Sequence, residues 1–422
     1  MFVLDEILIP ETFTPTGQYA DKLALLADEV AYRTSTREEY QKGDWINFHR
    51  DKWKFIDSKK YGPIKQAAIE QGLIEVNEAY SSSTENSKGQ PFPKSLRLTK
   101  QHRNSQLIPY KLSKSIKRNS QTIINISDTD AVGTWLASKL DIFDLPEGLD
   151  ITPIEALCNT THKRNCLRAS MLRLKQRRFF ASRCEFGRFH SNYTNMKKEL
   201  RRELTFNGEK LIPTDIVNCQ PALLPHVLGR HIGGCCDCCW SDLDPSIVDK
   251  IYMFACRIGS IFGSFYERAI ISLNPSVLQT SLTASQMDRE RLRMKKLFYK
   301  SLYGEISTTK RSKLFQLLNA VSPLFGRAIL EIKAGNHSNL AHQLQKLESK
   351  IVIDSCCRNL MIRFPAMPVI TVHDEILTTP KYKSFVENEL QLSFMNECGY
   401  WCVVEKPVIN SLENISTMNT AV

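Results

Sequence analysis

Three consecutive side chains, His373, Asp374 and Glu375, have the chemical types of a catalytic or metal-binding group. β-Branched residues precede them and apolar residues follow, so the pattern predicts a strand, a tight turn and a second strand. The acidic pair would lie at the bend, where rigid strands can hold carboxylates around a divalent metal for phosphoryl transfer. Alone, the motif is weak evidence, because acidic hairpin turns are common.

A helix with basic and aromatic residues is predicted upstream of this hairpin. Arg291, Lys295, Tyr299 and Tyr303 are each four residues apart, so they share one slowly drifting helix face. Cations suit triphosphate oxygens, and aromatic rings suit a base to stack on. Gly304 has the position of a C′ residue that ends the helix. The alternative is an amphipathic helix with a solvated basic face.

A third segment carries one carboxylate in an apolar setting. Residues 211–217 read as a buried strand containing Asp215, and Pro221 falls in the first turn of a following helix. An aspartate in an apolar strand is costly to bury unless it is paired or metal-bound. A strand aspartate, a cationic and aromatic helix and a turn aspartate, in this order, are together more specific than any one of them.

The three segments resemble motifs A, B and C of family A DNA polymerases and their relatives, the single-subunit RNA polymerases. Motif B of that family reads Arg-x3-Lys-x3-aromatic-x3-Tyr-Gly, which residues 291–304 match in full, and motif C reads His-Asp-Glu. The segments around Arg188 and Gln345 are weakly similar to the minor-groove contacts that precede motifs A and C. The resemblance covers about residues 185 to 378. It implies an α+β right-hand polymerase with an antiparallel palm sheet, helical fingers and a thumb-like part.

The resemblance also implies roles for individual residues. Asp215 and Asp374 would hold two Mg²⁺ ions, with the main-chain carbonyl of Ile216 as a further ligand, and Lys295 would donate a proton to pyrophosphate. The implied nucleotide-binding residues are Arg291, Lys295, Tyr299, Tyr303, Gln220 and Ile216, and the implied primer-template-binding residues are His373, Glu375, Arg188 and Gln345.

One position departs from the family pattern and bears on the sugar of the substrate. Motif A usually places Glu five residues after its Asp, as a steric gate against a ribose 2′-hydroxyl, whereas this chain has Gln220 there. Glutamine can still fill the space, and Tyr299 and Glu375 are more typical of DNA-synthesising members, so DNA-dependent DNA synthesis from dNTPs is favoured. The alternatives are an RNA or primer-synthesising polymerase of the same superfamily and an inactive polymerase-like nucleic-acid-binding replication or defence factor.

The predicted domains follow from these positions. Residues 1–112 form a winged-helix-like module, with a helix over 61–72, strands over 73–80 and 95–99, and a polar wing between them. Such a module could bind DNA, dock a partner or be purely structural. A linker over 113–127 follows. The remaining assignments are a helical thumb-like region over 128–205, a palm over 206–230 and 355–422, and fingers over 231–354.

Composition is consistent with a nucleic-acid partner but does not prove one. The net charge is +11 and the pI about 9.0, as expected of a protein that follows a phosphate backbone. No apolar run is long enough for a membrane span, no signal peptide is evident, and 13 cysteines without one predict free thiols and a cytoplasmic location. The compact architecture suggests a virus, phage or mobile element.

Two further features of the sequence bear on cofactors and activities. The cluster Cys235–Cys239 contains two Cys-x-x-Cys spacings and could hold a structural Zn²⁺, but consecutive residues wrap one ion poorly, so free thiols are favoured. No acidic constellation typical of a proofreading exonuclease precedes the predicted polymerase segments. Proofreading is therefore not predicted.

Overall fold

A computed structural model of the chain describes residues 2–36, 45–48, 53, 56–57, 59–77, 95–118, 123–234, 243–259, 263–275 and 283–404. Helices outnumber strands, and the strands form small antiparallel sheets, so the class is α+β as the sequence predicted. Among the described residues, no helix is both long and apolar enough to cross a membrane.

The described helices are α1 (Ala20–Thr36), α2 (Tyr61–Glu70), α3 (Lys100–Arg103), α4 (Ala131–Ala137), α5 (Thr152–Ala156), α6 (Thr161–Lys175), α7 (Asn192–Asn195), α8 (Lys198–Arg201), α9 (Cys219–Ile232), α10 (Pro245–Ile258), α11 (Phe265–Leu273), α12 (Ala284–Tyr303), α13 (Ile306–Arg311), α14 (Lys313–Val321), α15 (Pro323–Lys333), α16 (Asn339–Ser349), α17 (Arg358–Arg363) and α18 (Lys383–Cys398). A π-helical segment, Lys350–Cys357, joins α16 to α17, and a 3-10 turn, Pro380–Tyr382, precedes α18.

The described strands are β1 (Phe2–Pro10), β2 (Ile46–Asn47), β3 (Ile74–Asn77), β4 (Ser95–Leu98), β5 (Leu107–Arg118), β6 (Ile123–Asn125), β7 (Phe180–Arg183), β8 (Phe189–Ser191), β9 (Thr205–Phe206), β10 (Glu209–Lys210), β11 (Ile212–Asp215), β12 (Val369–Val372) and β13 (Glu375–Thr378).

The chain divides into two compact units, and each is built from separated segments. Unit 1 comprises Met1–Asn125, Leu140–Ala181 and His190–Lys210, and unit 2 comprises Ile126–Lys139, Ser182–Phe189 and Leu211–Val422. The predicted thumb-like region over 128–205 therefore does not form one body, because its segments belong to both units. Tertiary packing decides this division, and the helical pattern of the region gives no sign of it.

Unit 1 is organised around α1, whose apolar side chains from Leu23 to Val30 are buried. Strands β1 and β5 pair antiparallel, with a register shift between Leu4 and Glu6. The predicted linker was wrong over 113–118, because those residues belong to β5. Ser113 donates its backbone N–H and its hydroxyl to the carboxylate of Asp21 on α1, a contact with a residue distant in sequence that local composition cannot reveal.

Four charged side chains are buried together inside unit 1. Asp28 accepts hydrogen bonds from Arg173 and Arg178 at 3.1 and 2.8 Å, and Glu29 accepts one from Arg173 at 2.9 Å. Burial by itself would raise the pKa of Glu29, but the positive charges of Arg173, Arg33 and Arg178 hold it well below its usual range. The cluster ties α1 to α6, since a buried charge is stable only when it is paired.

The elements predicted for a winged-helix-like module occur in unit 1, with helix α2 followed by strands β3 and β4. Strand β4 is central in a three-stranded antiparallel sheet of order β2-β4-β3. The predicted wing over 81–93 lies outside the described residues, so the assignment as a winged helix stays a prediction.

Unit 2 contains a three-stranded antiparallel sheet of order β11-β13-β12. All side chains of β12 and β13 are buried, as expected for β-branched and apolar strands packed on both faces. The buried helix α9 packs against α10, α15 and α16, and α18 packs against the π-helical segment. The sheet and α9 together fix the positions of the motif residues.

Candidate active site

The three-stranded sheet places Asp215 and Asp374 at the same end. Asp215, the last residue of β11, pairs with Glu375 at the start of β13, and Asp374 directly precedes Glu375 in the turn between β12 and β13. The hairpin predicted from the sequence is therefore confirmed. His373 has φ of +58°, the left-handed conformation that a two-residue hairpin turn requires.

The carboxyl of Asp374 lies in an electrostatically unfavourable position. Burial and the negative charges of Glu348 and Asp215 together raise its pKa to about 7, against the opposing positive charge of Lys295. Asp374 is partly exposed and Asp215 is exposed, so a ligand from solvent can reach both carboxylates. Carboxylates that raise one another's pKa are a common feature of cation-binding and catalytic sites.

Helix α12 presents the predicted motif B residues. Lys295 is exposed, and Tyr299 is half-buried with its ring centroid 5.2 Å from that of Tyr303. Burial raises the pKa of Tyr299 to about 12, with further contributions from the negative charges of Asp374 and Glu348. Tyr299 and Lys295 on α12 are thus close enough to the Asp374 carboxyl to affect, or be affected by, its charge.

Arg291 makes contacts that the sequence did not indicate. Its Nε lies 2.5 Å from Oε1 of Glu267, a buried carboxylate on α11, and its Nη1 lies 3.1 Å from Oδ1 of Asp288. In this structure Arg291 therefore connects α12 to α11. Its expected contact with a triphosphate stays a prediction, and it would require the guanidinium to serve both partners or to change position.

Both ends of α12 are defined by local interactions. Thr283 and Gln286 form a capping box at its N-terminus, and Gly304 ends the helix, as predicted. A C′ glycine commonly adopts a left-handed conformation, but Gly304 is extended, with φ of −75° and ψ of 178°. A Cβ at this position would lie 2.5 Å from the carbonyl oxygen of Lys300. The glycine is therefore needed for close approach of the backbone.

A buried lysine also holds the C-terminal end of α12. The ammonium of Lys333 on α15 donates to the carbonyl oxygens of Leu302, Gly304 and His337 at 2.5, 2.7 and 3.2 Å. Burial lowers the pKa of Lys333 to about 8, and the side chain is fully buried. Since the last carbonyls of a helix lack partners within it, this contact stabilises the end that carries Tyr303.

A continuous hydrogen-bond network connects four side chains behind the carboxylates. Tyr303 donates its hydroxyl to Oε1 of Gln220 at 2.6 Å, and Gln220 donates its amide to Oε2 of Glu348. Arg188 contacts Oε1 of Glu348 through Nη2 at 2.6 Å and through Nε at 2.9 Å. The network fixes the amide of Gln220, because each of its two ends has a defined partner.

Glu348 is the functional candidate that the sequence interpretation missed. It is 2 % exposed, and burial raises its pKa while Arg188 opposes that shift. The available signal was a carboxylate on the buried stripe of α16, beside Leu344 and Leu347. Gln345, the residue of this helix that the sequence resemblance indicates, is half-buried, and its contact with a nucleic acid stays a prediction.

Glycine at position 187 allows Arg188 to reach this network. Gly187 has φ of +80°, and a Cβ there would lie 3.2 Å from the Cβ of Ser349 on α16. Arg183 donates to the carbonyl oxygen of Gly187 at 2.8 Å and pairs with Asp130 at 3.1 Å. A larger residue at position 187 would displace the turn that carries Arg188.

The remaining motif residues also lie at this end of the sheet. Ile216, whose main-chain carbonyl was expected to be a metal ligand, follows Asp215 and is buried. His373 is exposed at the hairpin tip, and Glu375 is buried in β13. Pro221 lies in the first turn of α9, as the sequence predicted.

The donor set at this site fits Mg²⁺ better than a transition metal. Among the described residues, no group of three or more His, Cys, Asp or Glu side chains forms a metal site. Mg²⁺ takes one or two carboxylates and completes its shell with water and substrate phosphates, so Asp215 and Asp374 suffice. The predicted zinc cluster Cys235–Cys239 lies outside the described residues, and the described cysteines are free thiols.

Comparison with models of known protein families gives no match for this chain, and comparison with curated proteins gives none either.

Proposed function

We propose that this protein is a template-directed nucleotidyltransferase with a right-hand polymerase architecture, which extends a DNA primer with dNTPs. One observation carries the proposal: Asp215 and Asp374 lie at the same end of one antiparallel sheet, and the charge of Lys295 acts on Asp374. Two carboxylates opposite a cationic and aromatic helix suit a nucleoside triphosphate, which needs its phosphates neutralised and its base stacked. In this reading the sheet is the palm and α12 belongs to the fingers.

The chemistry assigned to the chain rests on these side chains. Asp215, Asp374 and the carbonyl of Ile216 would hold Mg²⁺, which when bound supplies positive charge for the attacking 3′-oxygen and the leaving pyrophosphate. Lys295 would contact the triphosphate and could give a proton to pyrophosphate, because it is exposed and its positive charge acts on Asp374. Tyr299 and Tyr303 provide aromatic surfaces for the incoming base.

The network behind the carboxylates supports a role in sugar selection. Gln220 occupies the position of the steric gate in the family that the sequence resembles, and its carbonyl oxygen is already used by Tyr303. Its amide nitrogen is likewise used by Glu348. A 2′-hydroxyl would therefore meet a side chain fixed in position by two hydrogen bonds, and steric exclusion by such a side chain disfavours ribonucleotides.

Primer extension with Mg²⁺ tests the proposal. The wild type, Asp374→Asn and Asp249→Asn are compared on a labelled primer-template, with dNTPs or rNTPs offered separately. Asp249 is exposed on α10, so its substitution makes the same charge change at a surface position. We expect extension with dNTPs by the wild type and Asp249→Asn, and loss of extension in Asp374→Asn.

The other outcomes discriminate the alternatives. Extension with rNTPs would make the protein an RNA or primer-synthesising polymerase and would mean that Gln220 is no gate. No extension by any variant, together with primer-template binding that Asp374→Asn leaves unchanged, would identify an inactive nucleic-acid-binding protein.

A further inference from the structure

The segment that runs from α12 to α15 is strongly basic. Residues 291–330 contain nine Lys or Arg side chains and one carboxylate, that of Glu305. The nine positive charges less this one leave +8, out of a net +11 for the whole chain. A solvated helix surface usually mixes charges of both signs, so an excess of one sign favours an anionic partner.

Buried hydroxyls fix the place where α12, α13 and α14 meet. Ser301 on α12 is fully buried, and its hydroxyl donates to the carbonyl oxygen of Leu297 at 2.6 Å and hydrogen-bonds to the hydroxyl of Ser312. Thr309 on α13 is also fully buried, and it donates to the carbonyl oxygen of Ser301 at 2.6 Å. The junction between α13 and α14 is therefore held against the C-terminal part of α12.

Exposed cations flank these buried hydroxyls. The charged residues next to Ser301, Thr309 and Ser312 in the chain are Lys300, Lys310, Arg311 and Lys313, and all four are exposed. Lys296, also exposed, lies four residues before Lys300 and so on the same face of α12. These five side chains form the basic surface. The ion pairs that α12 makes with described residues involve Arg291 and Arg293, and none of them includes a member of the basic surface.

The basic surface adjoins the candidate active site along α12. Lys296 directly follows Lys295, and Lys300 directly follows Tyr299. Successive residues of a helix are about 100° apart around its axis, so the two rows of side chains face different directions. A polyanion on the basic surface can therefore pass beside the site without occupying it.

The aromatic residues of this segment indicate which form of nucleic acid suits the surface. Among the described residues of α12 to α15, Phe298, Phe315 and Phe325 are buried, and Tyr299 and Tyr303 are half-buried at the candidate site. Proteins that hold single strands combine cations with aromatic rings on which the bases stack. A duplex keeps its bases stacked inside and offers a dense row of phosphates, for which cations suffice.

We propose that the basic surface binds the phosphates of double-stranded nucleic acid. The further assignment, that this duplex is the one ahead of the primer end, rests on the proposed function. The duplex would then lie against α12, α13 and α14 while the primer end lies at the carboxylates. The basic surface would thus help extension to continue into a region that is already double-stranded.

Binding to a duplex that offers no primer end tests the surface independently of catalysis. The probe is a labelled DNA duplex closed by a hairpin loop at each end, and its affinity for the full chain is measured by fluorescence anisotropy at several salt concentrations. The test variant is Lys310→Gln/Arg311→Gln/Lys313→Gln. Each lost phosphate contact reduces the slope of log K against log salt by about 0.9, so we expect the slope of this variant to be smaller than that of the wild type by about three.

A matched variant controls for net charge, and a second variant controls for folding. Lys250→Gln/Arg358→Gln/Lys381→Gln makes the same charge change at exposed positions elsewhere in unit 2, and its slope should stay within about one of the wild-type value, because distant charges are screened. Arg311 donates to the carbonyl oxygen of Ser307 at 3.1 Å, so thermal melts accompany the test variant. The double variant Lys310→Gln/Lys313→Gln keeps that hydrogen bond and should reduce the slope by about two.

Two results would overturn the inference. One is an equal change of slope in the two triple variants, which would assign the effect to net charge alone. The other is an equal loss of affinity for a single strand of the same length, which would show that the surface does not select a duplex.

Primer extension separates this proposal from the proposed function. The test variant should extend a primer on a single-stranded template as fast as the wild type, and more slowly where the template ahead is already paired. If the wild type extends neither substrate but the test variant still loses duplex binding, the polymerase proposal fails and the basic surface stands. If both proteins extend both substrates equally, the duplex ahead of the primer is not its ligand.

Discussion

Replacing Asp374 by asparagine should stabilise the metal-free protein at alkaline pH, although the substitution removes a group of the candidate active site. The reason is the pKa of about 7 that burial and the neighbouring carboxylates impose on Asp374. Above that pH the folded protein must ionise Asp374 next to Glu348 and Asp215, whereas the unfolded chain ionises it freely. Asparagine has nearly the same shape and avoids that cost.

The magnitude follows from the pKa difference. Between the usual value of 3.8 and about 7, the folded state binds more protons than the unfolded state, so stability falls as the pH rises through this window. The full difference corresponds to roughly 4 kcal/mol above pH 7. Because Asp374 is partly exposed, solvent screening reduces this, and about 2 kcal/mol is expected. The gain should be small near pH 4 and complete above pH 7.

Urea unfolding in the presence of a chelator, followed at several pH values, measures the effect. The wild type, Asp374→Asn and the surface control Asp249→Asn are compared, and Mg²⁺ is then added. We expect Mg²⁺ to stabilise the wild type and the control but not Asp374→Asn, since a ligand that binds only the folded state raises its stability. If Asp374→Asn is less stable than the wild type at alkaline pH, the carboxyl is a structural partner, and the electrostatic argument is wrong.

Three more substitutions test other parts of the structure. Lys333→Met leaves the last carbonyls of α12 without their donor and should lower the unfolding free energy by about 2 kcal/mol, as judged by urea unfolding against the exposed control Lys300→Met. Glu348→Gln removes a charge that raises the pKa of Asp374. The pH at which Mg²⁺ binding is half-maximal, measured by calorimetry, should therefore move to lower pH. An unchanged midpoint would show that Glu348 and Asp374 do not interact. In acid unfolding, Glu29→Gln should lose less stability than the wild type as the pH falls below 4.5, the usual pKa of this carboxyl. The pKa of Glu29 is depressed in the folded protein, so the stabilisation that its charge provides disappears as the pH falls.

The parts of the site that could be predicted are those written in short stretches of sequence. β-Branched residues, a turn and more apolar residues predict the hairpin that carries Asp374, and the spacing of four from Arg291 to Tyr303 predicts a helix. Both elements are present. The Asp215 strand is also present, but it is shorter than predicted and ends at the aspartate itself.

The parts that could not be predicted depend on contacts between distant residues. Glu348 gains its place in the site only because α16 packs beside Arg188 and Gln220, which lie more than a hundred residues earlier. Arg291 pairs with Glu267 on a neighbouring helix, a contact that its regular spacing on α12 conceals. The residues over 113–118 look like a linker in composition, yet they continue β5, and residues 116–118 pair with β1.

The charged groups of the candidate site differ in whether the protein already supplies their partner. Glu348 is paired with Arg188 and hydrogen-bonded by Gln220, so its buried carboxylate has defined partners. The Asp374 carboxyl keeps a pKa raised to about 7, and the positive charge of Lys295, which is exposed, acts on it. The site thus separates one closed ion pair from two carboxylates and one lysine that remain accessible to a ligand. A triphosphate with its divalent cation carries both charges that these accessible groups require, the cation for the carboxylates and the phosphates for Lys295.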